Sequence, residues 1–273
     1  MATKSINFSK FSSMKIGDIL DVTIIEECNT QLQNHYLLGS CNNILIGEQT
    51  PPLAILSKKY DYITIEESVL KIGAATPSGK IAPFCKKYNI ANFEFVSHLP
   101  GTLGGLVKMN AGVKEYEIFN HLITISTPQG LKKKSEIEFG YRYTNINTTI
   151  LEASFELSYG YDLEKVAIFK KMRSNQPSTP SAGSCFKNPP GDYAGRLIEA
   201  VGLKGERVGG MEFSTVHANF LVNADKGNFK DALFLIQEAQ KRVYEEFKIW
   251  LECEIVVLDK RYMGKGSPLL KSK

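Results

Sequence analysis

The feature that most constrains this chain is a succession of short β-branched runs near its start, at residues 20–25, 36–38, 43–46, 53–56 and 62–65, each closed by polar residues or by Pro and Gly. The gaps between them leave little room for long helices. Helical spacing enters later. Residues 78–87 put Ile81, Phe84 and Cys85 on one face, although Pro83 counts against a clean helix there. A Gly-rich turn at 100–105 leads into a helix reaching Met109; strands are expected at 122–126 and 152–157, and a short helix at 165–171. Residues 174–190 hold Pro177, Pro180, Pro189 and Pro190, which predicts a loop or linker and a boundary before a C-terminal unit. That unit carries a helix at 193–201 ended by Gly202 and a strand at 218–222. A helix follows at 228–247, with Phe229, Leu233, Ile236, Ala239 and Val243 on one side, then a strand at 254–258. The fold class is α+β.

A chain of 273 residues with 43% hydrophobic and 23% charged side chains can bury a sizeable core, and its length allows two or three domains. Its formal charge of +4 is concentrated at one end. Lys260, Arg261, Lys265, Lys271 and Lys273 lie in the last fourteen residues, and without them 28 basic side chains face 29 acidic ones. Nucleic-acid binders carry a clustered basic face on the folded part; here the run Lys132, Lys133, Lys134 reads as a solvated turn, and 260–273 as a basic tail. No apolar run approaches a membrane span and the N-terminus lacks a signal-peptide apolar region, so neither nucleic acid nor membrane is expected as a partner. The five cysteines, without a C-x-x-C pair, read as reduced thiols, with no disulfide framework and no metal site. The expected compartment is the cytoplasm, and a monomer is compatible with the sequence.

Two segments look built for close approach to phosphate. One places Gly39, Ser40, Cys41, Asn42 and Asn43 in a turn between apolar strands. The other runs through Pro100, Gly101, Thr102, Gly104 and Gly105 into a helix, whose exposed N–H groups and positive end suit a diphosphate. Neither is a dinucleotide-binding or P-loop signature, and a tight hairpin or a helix–strand turn calls for the same residues. In a third cluster Ser184 follows Gly183 without the second Gly of a nucleophile elbow. His217 lies in a segment with site-like composition, a partly buried structural histidine being its other reading. Glu254 alternates into an apolar strand, where desolvation would raise its pKa and keep it protonated; a water-facing strand carboxylate is the alternative.

In their order, these segments resemble the bacterial UDP-N-acetylenolpyruvoylglucosamine reductases (MurB) of peptidoglycan synthesis, from Phe11 to Leu258. The stretches that carry the resemblance are FSSMKIG (11–17), LLGSCNNILI (37–46), LPGTLGGLVKMNAG (99–112), GYRYTNI (140–146), PSAGSCFKNPPGDYAGRLIEAVGLKGERVGG (180–210), HANFLVN (217–223) and WLECEI (250–255). The resemblance implies a two-part FAD-binding region of the vanillyl-alcohol-oxidase (PCMH) type at 1–70 and 71–173, then an α+β substrate-binding domain at 174–259. It puts Ser184 at the family's proton donor, Glu254 at its catalytic glutamate and Arg142 at its catalytic arginine. Tyr141, Asn188 and His217 fall where family members contact the UDP-sugar. Non-covalent FAD would be held by Gly39, Ser40, Cys41, Asn42 and Asn43, by Pro100, Gly101, Thr102, Gly104 and Gly105, and by Asn110, Ala111 and Gly112. Two departures stand out: Gly39-Ser40-Cys41-Asn42 replaces three glycines and a Ser, and Val113-Lys114 replaces Ala-Tyr. Arg142 and Ser184 are 42 positions apart, too close for the substrate-clamping tyrosine segment of the longer subclass.

The implied reaction uses NADPH as co-substrate and reduces the enol ether of UDP-N-acetylglucosamine-enolpyruvate to UDP-N-acetylmuramate. Hydride addition pushes charge onto the enolpyruvyl carboxylate, where Arg142 and a protonated Glu254 would meet it. Ser184 would then protonate the carbanionic centre. A different oxidase of the same flavin fold, which would often tether FAD to His or Cys, lacks the Ser/Glu pair. A non-catalytic nucleotide-binding module would not need all three catalytic residues.

Overall fold

In the computed structural model, which describes residues 2–28 and 34–263, the β-branched runs form strands Ile19–Ile25, Tyr36–Leu38, Ile44–Ile46, Leu53–Leu56 and Ile63–Glu66. Lys265, Lys271 and Lys273 of the expected tail lie outside the described residues. The chain divides into two compact units. One comprises Met1–Lys4, Val22–Ser40 and Pro52–Ser174, the other Ser5–Asp21, Cys41–Pro51 and Asn175–Lys273.

In the first unit, Leu53–Leu56 runs parallel to both neighbours, with Val22 and Tyr36 each in register with Leu53. A five-stranded antiparallel sheet follows, ordered Gly130–Lys133, Leu122–Thr127, Glu152–Glu156, Val69–Gly73, Ile63–Glu66. Period-two alternation puts Leu70 and Ile72 on one face opposite Phe155 and Ala153, and all four are inaccessible to solvent. Helices Ser78–Lys87 and Leu103–Lys108 contribute Ile81, Cys85, Leu103 and Val107 to the same core. The first of these runs unbroken through Pro83. The missing N–H would have met the Gly79 carbonyl, and complete burial of Ile81 and Cys85 offsets a cost of roughly 3 kcal/mol. Lys132 and Lys133 prove to lie in an edge strand and not in a turn, where lysines discourage edge-to-edge pairing.

The second unit is built on an antiparallel sheet ordered Ser181–Ser184, Phe220–Asn223, Met211–Phe213, Arg207–Val208. Its core includes one face of helix Phe229–Phe247, from which Ala232, Ile236, Ala239 and Val243 are fully buried. Asn228 and Asp231 form a reciprocal capping box at its start. Met14, Ile16 and Leu45 enter this core with Phe186, Leu197 and Phe213. Ile44–Ile46 pairs in parallel with Val256–Leu258.

Three expectations are corrected here. The proline-rich stretch contains strand Ser181–Ser184, tolerated because it is an edge strand and Pro180, just before it, has only to accept from the Asn223 N–H, at 2.8 Å. The last strand begins at Val256 instead of residue 254, since the N–H groups of Glu254 and Ile255 turn to the Cys185 carbonyl. The strand expected from residue 218 begins at Phe220, because the Asn219 N–H is given to His217 Nδ1.

Candidate active site

In the first unit Gly39, at the start of the first expected flavin loop, meets the second expected loop; from Cys41 onward the first loop belongs to the second unit. A β-carbon on Gly39 would stand 2.6 Å from Thr102 Oγ1, so this contact requires glycine. Thr102 makes an isolated bridge to Pro77, and the Gly101 carbonyl accepts the Ser78 N–H at 2.9 Å. The expectation of an exposed N-terminal N–H cradle on helix Leu103–Lys108 is corrected. The N–H groups of Leu103 and Gly104 donate to the Thr76 and Ala74 carbonyls, each at 2.9 Å. Gly105, by contrast, is exposed, with nothing nearer its β-carbon position than Thr102 Oγ1 at 3.7 Å. Cys41 is almost wholly buried with φ 52°, an uncommon backbone conformation for a non-glycine residue. Burial pushes its thiol up to about 12.

Asn110 has no exposed surface and its amide is fully engaged. Nδ2 donates to Glu117 Oε2 at 2.7 Å and to the Gly140 carbonyl at 3.0 Å, while Oδ1 accepts the Phe119 N–H at 3.3 Å. Its backbone N–H is taken up as well, by the Val107 carbonyl at 3.1 Å. Ala111 is likewise occupied, its N–H by the Leu106 carbonyl and its own carbonyl by the Ile118 N–H. The Gly140 bond ties the segment to hairpin Phe139–Gly140/Tyr143–Thr144, whose turn is Tyr141–Arg142. Arg142, at φ 54°, donates through Nη2 to the Gly112 carbonyl at 2.8 Å, its guanidinium 5.0 Å from the centre of the half-exposed Tyr141 ring. The second flavin segment and the arginine are thus laced together.

In the second unit Ser184 ends a strand, and Glu254 lies in the segment just before strand Val256–Leu258 that runs beside residues 185–187. The Cys185 carbonyl accepts the N–H of Glu254 at 2.9 Å, Phe186 and Cys253 form a bridge, and the Lys187 N–H donates to the Glu252 carbonyl at 2.9 Å. Ser184 and Glu254 are both half-buried. Cys185 between them is inaccessible, its thiol held well above its usual pKa by burial first and then by Cys253 and Glu254. Asn43, from the first flavin loop, donates through Nδ2 to the Glu254 carbonyl at 2.9 Å, and its own carbonyl accepts the Val256 N–H. Asn42 is half-buried beside it in sequence.

Asn188 and His217 converge on the first turn of helix Ala194–Ala200. Asn188 Oδ1 accepts the Ala194 N–H at 3.0 Å, leaving its amide nitrogen as the end that can meet a ligand. His217 lies against Gly195, and its Nδ1 accepts the Asn219 N–H at 3.2 Å, which puts the proton on Nε2. Burial, more than the nearby Lys204, lowers its pKa and keeps the ring neutral. A neutral donor of this kind suits an uncharged sugar or a phosphate oxygen.

Two residues escaped the sequence reading. Arg173 follows helix Leu163–Met172, and its guanidinium has its pKa lowered by burial and by the charge of Arg142. In sequence, an arginine at a helix C-terminus reads as a dipole cap. Asn219 is buried behind Ser184, where its amide binds both backbone groups of Phe186. Among the described residues no group of three or more His, Cys, Asp or Glu side chains is placed to hold a metal ion, and no helix is long and apolar enough to cross a membrane.

The chain is a mixed α/β protein with glycine-lined loops. A solved structure, UDP-N-acetylenolpyruvylglucosamine reductase (MurB) from Thermus caldophilus, superimposes with a TM-score of 0.82 at 28% identity, covering 94% of this chain and 99% of that one. Residues 175–258 match the C-terminal domain family of UDP-N-acetylenolpyruvoylglucosamine reductase. The reductase of Helicobacter hepaticus is 44% identical over 262 residues, 94% of this chain and 100% of its own. That of Helicobacter pylori strain J99 is 42% identical over 258 residues, again 94% of this chain and 100% of its own. The chain belongs to the UDP-N-acetylenolpyruvoylglucosamine reductase family.

Proposed function

We propose that this protein is a cytoplasmic enzyme that reduces UDP-N-acetylglucosamine-enolpyruvate to UDP-N-acetylmuramate for peptidoglycan synthesis, with NADPH as co-substrate and non-covalent FAD. The observation that carries the reading is the backbone bond from Glu254 to Cys185, which holds Ser184 and Glu254 next to each other. When bound, FAD supplies the hydride relay from NADPH to the enolpyruvyl group. The residues present fit that group. The exposed backbone at Gly105 permits close approach, and the buried, protonated Cys41 offers no thiolate for a covalent link.

The flavin-binding region, of the PCMH type, is assigned to 1–70 and 71–173, and the UDP-sugar domain to 174–259. Gly39 to Asn43, Pro100 to Gly105 and Asn110 to Gly112 line the flavin. Tyr141, Asn188 and His217 hold the UDP-sugar. Arg142 and Glu254 stabilise the negative charge that develops on the enolpyruvyl carboxylate as hydride reaches the methylene carbon, the guanidinium by charge and the carboxyl as a hydrogen-bond donor. Ser184 gives its hydroxyl proton to the neighbouring carbon, completing the addition of hydride and proton across the double bond. A hydroxyl serves here because the enolate is strongly basic and the donor is held within reach.

The purified protein should be yellow, release intact FAD on acid precipitation, bleach with NADPH and recolour on adding the enolpyruvyl sugar. Flavin retained on the pellet would favour a covalent oxidase of related fold. A folded, colourless protein that takes up no FAD would overturn the reading.

A further inference from the structure

Ser184 is poorly fixed from its N-terminal side. It follows Gly183, at φ 77° with open space around it, and the pairing of Ser181–Ser184 with Phe220–Asn223 slips register between Ser181 and Ser184. The ladder is irregular over Ala182 and Gly183 and resumes at Ser184, which pairs with Phe220. Beyond Ser184 the chain is secured again, and one residue does most of it. The Asn219 carbonyl accepts the Cys185 N–H at 2.7 Å, its Oδ1 accepts the Phe186 N–H at 2.9 Å, and its Nδ2 donates to the Phe186 carbonyl at 2.8 Å. The amide thus acts as an extra strand residue, making a two-bond pair with Phe186 after the backbone ladder has ended. Asn219 also donates its N–H to His217, and only 4% of its surface is exposed.

We infer that Asn219 is a positioning residue for Ser184, acting by clamping Cys185 and Phe186 so that the hydroxyl keeps its place beside Glu254. On the opposite edge the Cys185 carbonyl accepts the N–H groups of Glu254 and Ile255, and Phe186 bridges Cys253. With Asn219 on one side and residues 253–255 on the other, Cys185 and Phe186 are bonded along both edges. Removing the amide leaves the Glu254 side and the backbone bond from the Cys185 N–H intact but frees Phe186, so the separation between donor and carboxyl becomes variable. Misplacement of a reacting group on the order of 1 Å is worth about 100-fold in rate.

The inference rests on Ser184 being the proton donor, and the test separates the two ideas. In stopped-flow measurements on the FAD-loaded enzyme, Asn219→Ala should leave bleaching by NADPH within about twofold of wild type and slow reoxidation by the enolpyruvyl sugar roughly 10- to 100-fold. In a Ser184→Ala background the same substitution should add less than about twofold, because a clamp has nothing left to position. If Asn219→Ala does not fold, Asn219→Asp, which keeps an acceptor for the Phe186 N–H but sets a carboxyl oxygen against the Phe186 carbonyl, should give the same pattern. Equal slowing of both half-reactions, or full additivity with Ser184→Ala, would overturn the positioning role. Should Ser184→Ala itself leave reoxidation unchanged, the proton-donor reading falls, and this inference falls with it.

Discussion

Replacing Gly195 by alanine should separate binding from stability. Gly195 lies in the first turn of helix Ala194–Ala200, where alanine is favoured over glycine by up to about 1 kcal/mol. Its β-carbon would stand 3.2 Å from Cε1 and 3.6 Å from Nδ1 of His217, whereas carbon atoms prefer about 3.5–4.0 Å. The ring must retreat by a few tenths of an ångström. Its hydrogen bond from the Asn219 N–H is already 3.2 Å long, so retreat forfeits about 0.5–1.5 kcal/mol. Gain and loss nearly cancel, and Tm should stay within about 3 °C of wild type. The UDP-sugar meets a displaced Nε2 donor, so its KM should rise roughly three- to tenfold, with NADPH bleaching of the flavin unchanged. A thermal melt and steady-state kinetics suffice. An unchanged KM at unchanged Tm would remove His217 from the sugar site, and a Tm fall beyond about 6 °C would refute the cancellation.

Ser184→Ala should leave flavin bleaching intact and slow reoxidation by about 10² to 10⁴-fold, with Ser184→Cys recovering part; equal slowing of both halves would send the search for a donor elsewhere. Glu254→Gln keeps a hydrogen-bond donor and should lose less activity than Glu254→Ala, and wild-type turnover in both would reduce Glu254 to a strand carboxylate. Arg261 holds the buried Asp259 carboxyl well below the usual range, helped by the backbone N–H of Arg261 and of Gln49. A depressed folded-state pKa contributes stability that is present above about pH 3.9 and lost as pH falls through the folded value. Chemical denaturation as a function of pH should therefore show Asp259→Asn with a flatter acid limb than wild type, and parallel limbs would refute the ion pair's role.

What could be read in the sequence was local. The Phe229 to Val243 stripe states its own buried face, and that face is buried in the fold, whereas strand Val69–Gly73 was not among the strands read. The Gly39 and Gly101 to Gly105 segments were legible as turns that pack closely. Pro83 misled because propensity counts a lost hydrogen bond and not the burial of Ile81 and Cys85 that outweighs it. Strand Ser181–Ser184 was hidden because proline signals a loop unless the strand is known to be an edge, and edge position is set by neighbours elsewhere in the chain. Arg173 and Asn219 belong to the same class: each matters through what a distant residue brings beside it.

The parallel pairing of Ile44–Ile46 with Val256–Leu258 has a further consequence for how the chain is made. Asn43 and Glu254 are bonded across 211 positions, so during synthesis Met14, Ile16 and Leu45 leave the ribosome long before the core that receives them exists. Closing a loop about ten times longer than a local one of about twenty residues costs on the order of 2 kcal/mol more in chain entropy, and such non-local pairings form slowly. The nascent N-terminus must wait with apolar side chains uncovered. Fragments stopped near Ser174 should bind chaperones and aggregate, whereas a circular permutant that begins near Asn175 would deliver the late strand first and shorten the wait.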